Sequence, residues 1–395
     1  MRILYVTNEW LGKPGGGVTH FKEIAHELTQ AGHELYVLAP GYHRNRPKDW
    51  SVPIILIPLP GRNFFSFALF EALLGFCLAV CLVVLRIDVV LNRGTVSSTL
   101  LYYVCRLLRR RYVLEVNGVS DIEVKSMTVR RFGVRLCGWI FRRVYRSADF
   151  FICVSSGIRE ELISRWPSFA GRSTVINNGA NEKMIVPLDR LSCRRKLGLP
   201  EDKFIVGFVG QLSLWHGVED LLRVTRLLAT RGSSNLVTVI VGGGERLDIL
   251  KRQATELEIT DYVVFAGEVA RDQAPVYIGA FDIAAQPHND PVIGQLGDPL
   301  KFWEYLASGR PILLSDMSSS RRYVKTGLIG WLFRGGNIED MAAQLEYITD
   351  HRQECEVIGQ ANRRFFEQGH TWRDVARRVE QVLLGKNVLD GEVDV

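Results

Sequence analysis

The block from 298 to 312, DPLKFWEYLASGRPI, contains side chains suited to binding a charged ligand that is rich in hydroxyls. Pro299 favours the start of a helix, and the backbone amides of 297–300 are then free to bind phosphate or sugar oxygens. Lys301 extends from that first turn and can supply positive charge. Glu304 lies on the same helix, and its carboxylate can accept hydrogen bonds from two hydroxyls, as a nucleotide ribose requires. The alternative for each residue is a surface position without a ligand, with Lys301 as a solvated lysine and Glu304 as an exposed helical glutamate.

Three consecutive glycines, Gly15, Gly16 and Gly17, follow the first apolar run of the chain and precede a helical pattern. Glycine lets a backbone come close to a ligand, and the amino end of a helix attracts anions. We therefore expect this loop to contact a phosphate. The alternative is a flexible turn that binds nothing.

Two polar residues are expected at the ends of strands in the same half of the chain. Arg93 follows the run 89–92 and suits an anionic ligand. Asn117 follows the run 112–116 and can both donate and accept hydrogen bonds, which suits a sugar hydroxyl. Ligands of open parallel sheets bind beside such strand ends. The alternative is that both side chains only cap backbone groups of their loops.

Short apolar runs alternate with helical patterns along the whole chain, and these elements must position the residues above. The strand-like runs are 2–7, 34–39, 54–59, 89–92, 112–116 and 150–155, then 204–210, 236–241, 263–265, 283–285 and 311–315. Apolar strands that alternate with helices indicate parallel sheets covered on both faces. The predicted fold class is therefore α/β, with two doubly wound Rossmann-like domains.

The length of 395 residues fits two such domains. We predict an amino-terminal domain over 1–184 and a carboxy-terminal domain over 185–370. A final segment over 371–395 is predicted to form a helix that returns to the first domain, followed by a polar tail. Turn residues between Asn177 and Pro187 indicate a hinge between the domains.

Composition excludes several other classes of protein. Apolar residues make up 47% of the chain and charged residues 23%, the balance of a globular protein. The seven cysteines are scattered without a C-x-x-C pair, which argues against a disulfide framework and a zinc site. The first residues lack the pattern of a signal peptide, so we expect a cytoplasmic protein. No G-x-G-x-x-G with a later acidic residue follows a strand, which argues against an NAD dehydrogenase.

The order and spacing of five motifs resemble the family 4 glycosyltransferases, also called glycosyl transferases group 1, of the GT-B fold. These motifs are the glycine loop within 2–31, Ser147-Ala148-Asp149 with Ser155, Val175 to Ala180, Trp215-His216-Gly217-Val218, and the block 298–312. The resemblance runs from about residue 2 to about residue 385, and its most specific piece is the block 298–312. The Trp-His-Gly sequence is similar to a variant branch of that family.

The resemblance implies retaining transfer of a sugar from a UDP- or GDP-linked donor to a glycan or lipid-linked acceptor, without a metal or other cofactor. It places the donor on the carboxy-terminal domain and the acceptor on the amino-terminal one, with both domains facing a cleft. Synthesis of cell-surface polysaccharide or glycoconjugate is the expected role. The implied reaction uses no protein nucleophile, because the leaving phosphate assists the acceptor hydroxyl, so we predict no general base.

The site residues follow from matching the motifs to this sequence. The predicted catalytic residues are Asn117, Lys301 and Glu304, of which Glu304 matches the ribose ligand. The predicted donor-binding residues are Gly15, Gly16, Gly17, Gln211, His216, Gly297, Pro299, Leu300, Lys301 and Glu304. Arg93 and Asn117 are predicted on the acceptor side.

Three positions depart from the usual family pattern. Gln211 and His216 replace two cations that bind the donor diphosphate, and Leu296 replaces a sugar-binding glutamate. Each lost charge-assisted contact costs about 1.5–3 kcal/mol if nothing replaces it. We expect His216, Lys301 and the amino end of the helix that begins near Val218 to bind the diphosphate together in place of those cations. Two alternatives stay open: a non-catalytic subunit that binds a nucleotide sugar, and a sugar-nucleotide epimerase or a phosphorylase on the same fold.

The net charge of +6 conceals a difference between the two halves of the chain. Residues 1–185 carry 24 Lys and Arg against 14 Asp and Glu, so the first half is the basic one. Within it, 129–146 interleaves arginines with aromatic and apolar residues, the pattern of a helix on a membrane surface. The alternative is a packed helix with solvated arginines. No nucleic-acid recognition fold accompanies them, so no nucleic-acid partner is expected.

The segment 64–85 is the most apolar part of the chain, with Glu71 as its single charge. Its uncharged part, 72–85, is shorter than the ~20 residues that a spanning helix needs. A span there would also separate the strands at 2–7 and 89–92, which the predicted sheet requires together. We therefore predict peripheral contact with the inner face of a membrane through 64–85 and 129–146.

Overall fold

The computed structural model describes residues 1–12, 15–41, 50–60, 64–94, 97–119, 139, 142–233, 235–288, 296–317, 320–321, 323 and 329–386. The chain divides into two compact units. The first unit contains Met1–Asn178, Leu296–Asp298 and the helix that begins at Trp372. The second unit contains Gly179–Gln295 and Pro299–Thr371.

Each unit is built from strands that alternate with helices. The strands are β1 (Arg2–Thr7), β2 (Glu34–Gly41), β3 (Ile54–Pro58), β4 (Val89–Arg93), β5 (Arg111–Val116), β6 (Phe150–Cys153), β7 (Ser173–Val175), β8 (Phe204–Val209), β9 (Leu236–Val241), β10 (Val263–Gly267), β11 (Ile283–Gln286), β12 (Ile312–Ser315) and β13 (Gly330–Phe333). The α-helices of the described residues are α1 (Gly16–Gln30), α2 (Phe64–Val84), α3 (Ser98–Leu107), α4 (Ser156–Arg165), α5 (Arg190–Leu197), α6 (Val218–Thr230), α7 (Leu247–Glu256), α8 (Ala274–Ala280), α9 (Leu300–Ala307), α10 (Ile338–Asp350), α11 (Arg352–Glu367) and α12 (Trp372–Leu383).

The first unit contains a seven-stranded parallel sheet in the order β3-β2-β1-β4-β5-β6-β7. The order reverses between β1 and β4, which makes the edge beside these two strands the usual ligand site of a doubly wound sheet. Helix α1 follows the glycine loop, as predicted, and buries Phe21, Ile24, Ala25 and Leu28. The strand and the helix that were predicted on either side of the glycine loop are therefore confirmed.

Helix α2 packs one face on the core of the first unit through Phe70, Leu74, Leu78 and Leu82. The strands before and after it lie in one sheet, since β1 pairs with β4 in parallel register. Among the described residues, no helix combines the length and hydropathy that crossing a membrane requires.

The second unit contains a six-stranded parallel sheet in the order β10-β9-β8-β11-β12-β13, which reverses between β8 and β11. Its core includes Phe204, Phe208, Leu221 and Leu222. The apolar-run pattern predicts neither β7 nor β13, because β7 is short and begins with Ser-Thr and β13 begins with glycine. Both strands lie at sheet edges. The predicted fold class, with two Rossmann-like domains, is confirmed.

The two units differ from the predicted contiguous domains of 1–184 and 185–370, since the first unit ends at Asn178 and also includes a later segment. Leu296–Asp298 belongs to the first unit, although the sequence on both sides of it belongs to the second. Hydrogen bonds hold the segment there, because Ser155 Oγ donates to the Leu296 carbonyl at 2.8 Å and the Asn178 amide donates to Asp298 Oδ2 at 2.5 Å. Leu296 also packs against the core of the first unit.

Candidate functional site

The carboxyl ends of β8 and β9 form a tightly packed loop pair in the second unit. Gly210 and Gln211 follow β8, and Gly242 follows β9. Gly242 has φ of +138°, and a Cβ there would lie 1.9 Å from the Gly210 carbonyl oxygen. The Leu212 amide donates to the Gly243 carbonyl at 2.8 Å. The loop that carries Gln211 is therefore fixed by backbone contacts that only glycine permits.

Lys301 reaches the same edge of the second sheet from the first turn of α9. It is 9% exposed, and its Nζ lies 4.1 Å from the centre of the Phe208 ring. The ammonium also lies against Gly210, since a Cβ on that glycine would be 3.0 Å from Nζ. Among the described residues, none accepts a hydrogen bond from Nζ. Burial lowers the pKa of Lys301 to about 7, although the charge of Glu304 acts in the opposite direction.

His216 lies at the end of the loop after β8, directly before Gly217. Its Nδ1 lies 2.6 Å from the Gln211 carbonyl oxygen and 2.8 Å from Ser213 Oγ. Burial, followed by the charges of Lys301 and His288, lowers the pKa of His216 to about 2. The expectation that His216 helps to replace the missing cations stays a prediction. The lowered pKa favours a neutral ring, and Nδ1 of that ring contacts the backbone at Gln211.

Glu304 lies half-buried on α9 between the fully buried Trp303 and Tyr305. The Val209 amide donates to Tyr305 Oη at 2.9 Å, which ties α9 to the end of β8. Burial raises the pKa of Tyr305, so its hydroxyl stays protonated. Pro299 precedes the helix and Leu300 begins it, as the sequence predicts. Five of the predicted donor-binding residues, Gln211, His216, Leu300, Lys301 and Glu304, thus lie on two elements that Tyr305 connects.

The predicted acceptor-side residues lie together in the first unit. One Arg93 nitrogen, Nη2, donates to Asn117 Oδ1 at 3.1 Å, and Nη1 donates to the Gly17 carbonyl. Arg93 Nε is 3.5 Å from Glu115 Oε1. Gly16 begins α1, and Gly15 precedes it. The structure therefore brings the glycine loop, Arg93 and Asn117 together beside β1 and β4, where the strand order reverses.

Gly297 is the predicted donor residue whose position differs most from expectation. It lies within the segment Leu296–Asp298 of the first unit, whereas Pro299 belongs to the second. The predicted donor set is consequently divided, with the glycine loop and Gly297 in the first unit and the remaining residues in the second.

The sequence prediction missed two residues beside the acceptor-side cluster, Glu115 and His20. Glu115 is 1% exposed in β5 and accepts a hydrogen bond from the Tyr5 hydroxyl at 3.0 Å. Burial raises its pKa, but the charges of His20 and Arg93 and hydrogen bonds outweigh this effect and hold the pKa at about 2. A charged residue inside an otherwise apolar strand is the signal that could have revealed this cluster, because such residues are rarely buried without a partner.

Comparison with known proteins gives the family. Residues 189–387 match the family described as glycosyl transferases group 1, and residues 14–183 match glycosyltransferase family 4. An uncharacterized glycosyltransferase of Methanocaldococcus jannaschii is 23% identical over 97% of this chain and 97% of its own length. The alpha-monoglucosyldiacylglycerol synthase of Streptococcus pneumoniae is 24% identical over 85% of this chain and 76% of its own.

A solved structure shows the same fold. HepE of Anabaena, in complex with UDP-glucose, is 18% identical and superposes with a TM-score of 0.77 over 98% of this chain and all of its own. The Trp-His-Gly branch stays a prediction. The two family matches together span nearly the whole chain, and the protein belongs to the family 4 glycosyltransferases, glycosyl transferases group 1, of the GT-B fold.

Proposed function

We propose that this protein is a retaining, metal-independent glycosyltransferase that moves a sugar from a UDP- or GDP-linked donor to a glycan or lipid-linked acceptor. The observation that carries the proposal is the buried ammonium of Lys301 at the ligand edge of the second sheet, without a hydrogen-bond acceptor among the described residues. A buried cation without such a partner is costly, and an anionic ligand removes that cost.

A nucleotide diphosphate fits the groups around Lys301. The amino end of α9 presents backbone amides, and α6 presents another helix amino end at Val218, after Gly217. Glu304 lies one turn along α9 from Lys301 and is suited to accept both ribose hydroxyls. Lys301 and the helix ends would then replace the cations that Gln211 and His216 lack.

The chemical step needs groups that position and stabilise charge. In the proposed reaction, the acceptor hydroxyl forms a bond to the anomeric carbon while the bond from that carbon to the diphosphate breaks. The acceptor proton passes to the leaving diphosphate oxygen. Lys301 stabilises the developing charge on the diphosphate, and Arg93 with Asn117 holds the acceptor. Two similar proteins support this proposal, since one is a glucosyldiacylglycerol synthase and the other was crystallised with UDP-glucose.

Binding of a nucleotide panel tests the proposal directly. We expect titration calorimetry to detect UDP or GDP, with tighter binding of the matching sugar nucleotide, and we expect no binding of NAD. Donor turnover should require an added glycan or lipid acceptor, and the product should keep the anomeric configuration of the donor. Nucleotide binding without turnover by any acceptor would favour the non-catalytic subunit, and epimerised donor without acceptor would favour the epimerase.

We also propose that the acceptor is reached at an anionic membrane surface through α2 and α3. The outer face of α2 exposes Phe65, Leu73, Phe76, Val80, Val83 and Val84. Leu100, Tyr103 and Leu107 of α3 are exposed as well. The two helices adjoin closely, since a Cβ on Gly75 would lie 2.6 Å from Leu100 Cδ2. Contiguous apolar side chains of this kind mark an interaction surface.

Basic residues border this apolar surface, which selects anionic lipid as its partner. Arg86, Arg106 and Arg109 are exposed at the ends of α2 and α3. Glu71, the one acid of α2, points away from solvent and accepts a hydrogen bond from the Ser97 amide at 2.8 Å. The second predicted membrane segment, 129–146, lies largely outside the described residues. In its described part, the Arg143 guanidinium lies over the Trp139 ring.

Charge placed on the apolar surface should release the protein from vesicles. The double variant Phe76→Asp with Leu107→Asp is expected to lose flotation with phosphatidylglycerol-containing vesicles, because each apolar side chain contributes about 1.5–3 kcal/mol when buried. Val357→Asp is the matched control, since Val357 is 65% exposed on α11 of the second unit. Wild-type protein that fails to float, or a double variant that floats equally well, would refute the membrane proposal.

A further inference from the structure

A row of buried polar groups in the first unit runs from β5 to the segment that precedes α9. Its members Glu115, His20 and Asn178 are 1%, 4% and 7% exposed. His20 Nε2 lies 2.9 Å from Glu115 Oε1, and His20 Nδ1 lies 2.6 Å from Asn178 Oδ1. The Asn178 amide donates to Asp298 Oδ2 at 2.5 Å. His20 is therefore the central link between the acceptor-side cluster and Leu296–Asp298.

The orientation of each group in this row follows from its neighbours. Asn178 Nδ2 donates to the Asp298 carbonyl, so Asn178 Oδ1 must face His20. An amide oxygen and a carboxylate oxygen both accept hydrogen bonds, so each ring nitrogen of His20 lies within hydrogen-bond distance of an acceptor oxygen. The edge of the ring also packs on Trp372, with centroids 5.3 Å apart at 88°. A glutamine in place of His20 can therefore keep the polar contact with Glu115 or the one with Asn178, but not both.

The residues linked to His20 occupy special positions along the chain. The chain passes between its two units after Asn178, before Leu296, after Asp298 and before Trp372. Asn178, Asp298 and Trp372 are thus the bordering residues of the first unit at three of these four passages. Asp298 is followed by Pro299 and by α9, which carries Lys301 and Glu304.

We propose that His20 is a positioning residue that couples the acceptor-side cluster to the helix of the donor site. Through Glu115 it shares a partner with Arg93, which itself contacts Asn117. Through Asn178 it fixes the segment that leads into α9. An acceptor that shifts Arg93 would then alter the order of the α9 amino end, and a donor would do the converse. This assignment rests on the proposed function only in naming the two ligands.

Hydrogen exchange of the ligand-free protein tests the coupling without knowledge of the donor. In His20→Gln, backbone amides of 296–306 should exchange about tenfold faster than in wild type, because local opening becomes easier. His33→Gln is the matched control. His33 Nε2 lies 2.8 Å from Glu380 Oε1 in the same unit, and His33 has no contact with Asn178 or Asp298 among its hydrogen bonds. The control should leave exchange at 296–306 unchanged.

Nucleotide affinity gives the second readout. His20→Gln should weaken UDP or GDP binding by about three- to tenfold, although His20 itself does not contact the donor. Adding Asn178→Ala to this variant should weaken nucleotide binding little further, because the effects of two linked residues are not additive. Unchanged exchange at 296–306 would overturn the role of His20 even if nucleotide binds. A wild type that binds neither nucleotide would instead refute the proposed function, and the exchange experiment would still decide the coupling.

Discussion

Lys301→Met should make the protein more stable and a weaker binder of nucleotides. The substitution keeps the length of the side chain and removes a buried ammonium whose Nζ has no acceptor among the described residues. The stability gain should be about 1–3 kcal/mol, the cost of an unsatisfied buried polar group. The loss of a charge-assisted contact to phosphate should weaken UDP or GDP binding by about 10- to 100-fold. A substitution that raises stability and lowers ligand affinity marks a residue that serves function rather than folding.

The pH dependence of both effects follows from the lowered pKa of Lys301. In the unfolded chain the lysine has its ordinary pKa of 10.5, whereas burial in the folded protein lowers this pKa to about 7. The unfolded state therefore binds more protons between these values, and the stability of wild type rises with pH across that window. The advantage of methionine should be largest below about pH 7 and shrink above it. Nucleotide binding should take up a proton above about pH 7, since the diphosphate favours the charged amine.

Thermal unfolding and titration calorimetry in buffers of different ionisation enthalpy measure these effects. Lys251→Met is the matched control, because Lys251 is exposed on α7 of the same unit. The control should change neither stability nor nucleotide affinity. A Lys301→Met protein that is less stable and binds nucleotide as tightly as wild type would show that the ammonium has another partner.

Glu304→Ala should reduce nucleotide affinity by about 100- to 1,000-fold, because two charge-assisted hydrogen bonds to the ribose disappear together. Inorganic pyrophosphate lacks a ribose, so its binding should depend on Lys301 far more than on Glu304. The variant should also discriminate poorly between UDP and its 2′,3′-dideoxy analogue. Calorimetry with the three ligands separates the ribose contribution from the phosphate contribution.

Glu346→Ala is the control for Glu304, since Glu346 lies on α10 and pairs with Arg231 at 3.2 Å. Because the charge of Glu304 raises the pKa of Lys301, its removal should also move the loss of nucleotide affinity toward lower pH. If Glu304→Ala keeps the preference of wild type for UDP over the dideoxy analogue, the ribose role is wrong.

The alternation of strands and helices was predictable because short apolar runs of three to seven residues must be buried in a parallel sheet, and the helical pattern after the glycines forms α1. The sequence places Lys301 on the first turn of a helix, which α9 confirms, but it does not reveal the burial of this side chain. Its environment is created by Phe208 and Gly210, which lie more than ninety residues earlier in the chain. Long-range contacts of this kind leave no local pattern in a single sequence.

The same limit explains the other differences. The sequence shows 64–85 as apolar, but which side of α2 faces solvent depends on Phe70 and Leu74 packing on the sheet. The position of Leu296–Asp298 depends on Ser155 and Asn178, two hydrogen-bond donors that the sequence motifs already contained without a stated partner. The lowered pKa of His216 depends on its burial and on the charges of Lys301 and His288, which lie far along the chain.

The return of α12 to the first unit has a consequence for how the chain matures on the ribosome. Trp372, Val375, Val379 and Val382 of α12 are buried, and the helix packs beside α1. The first unit therefore cannot close its apolar surface until the whole second unit has been synthesised, even though its own sheet emerges first. Until then α1 exposes surface that chaperones and proteases recognise, so completion of the chain acts as a checkpoint for its survival.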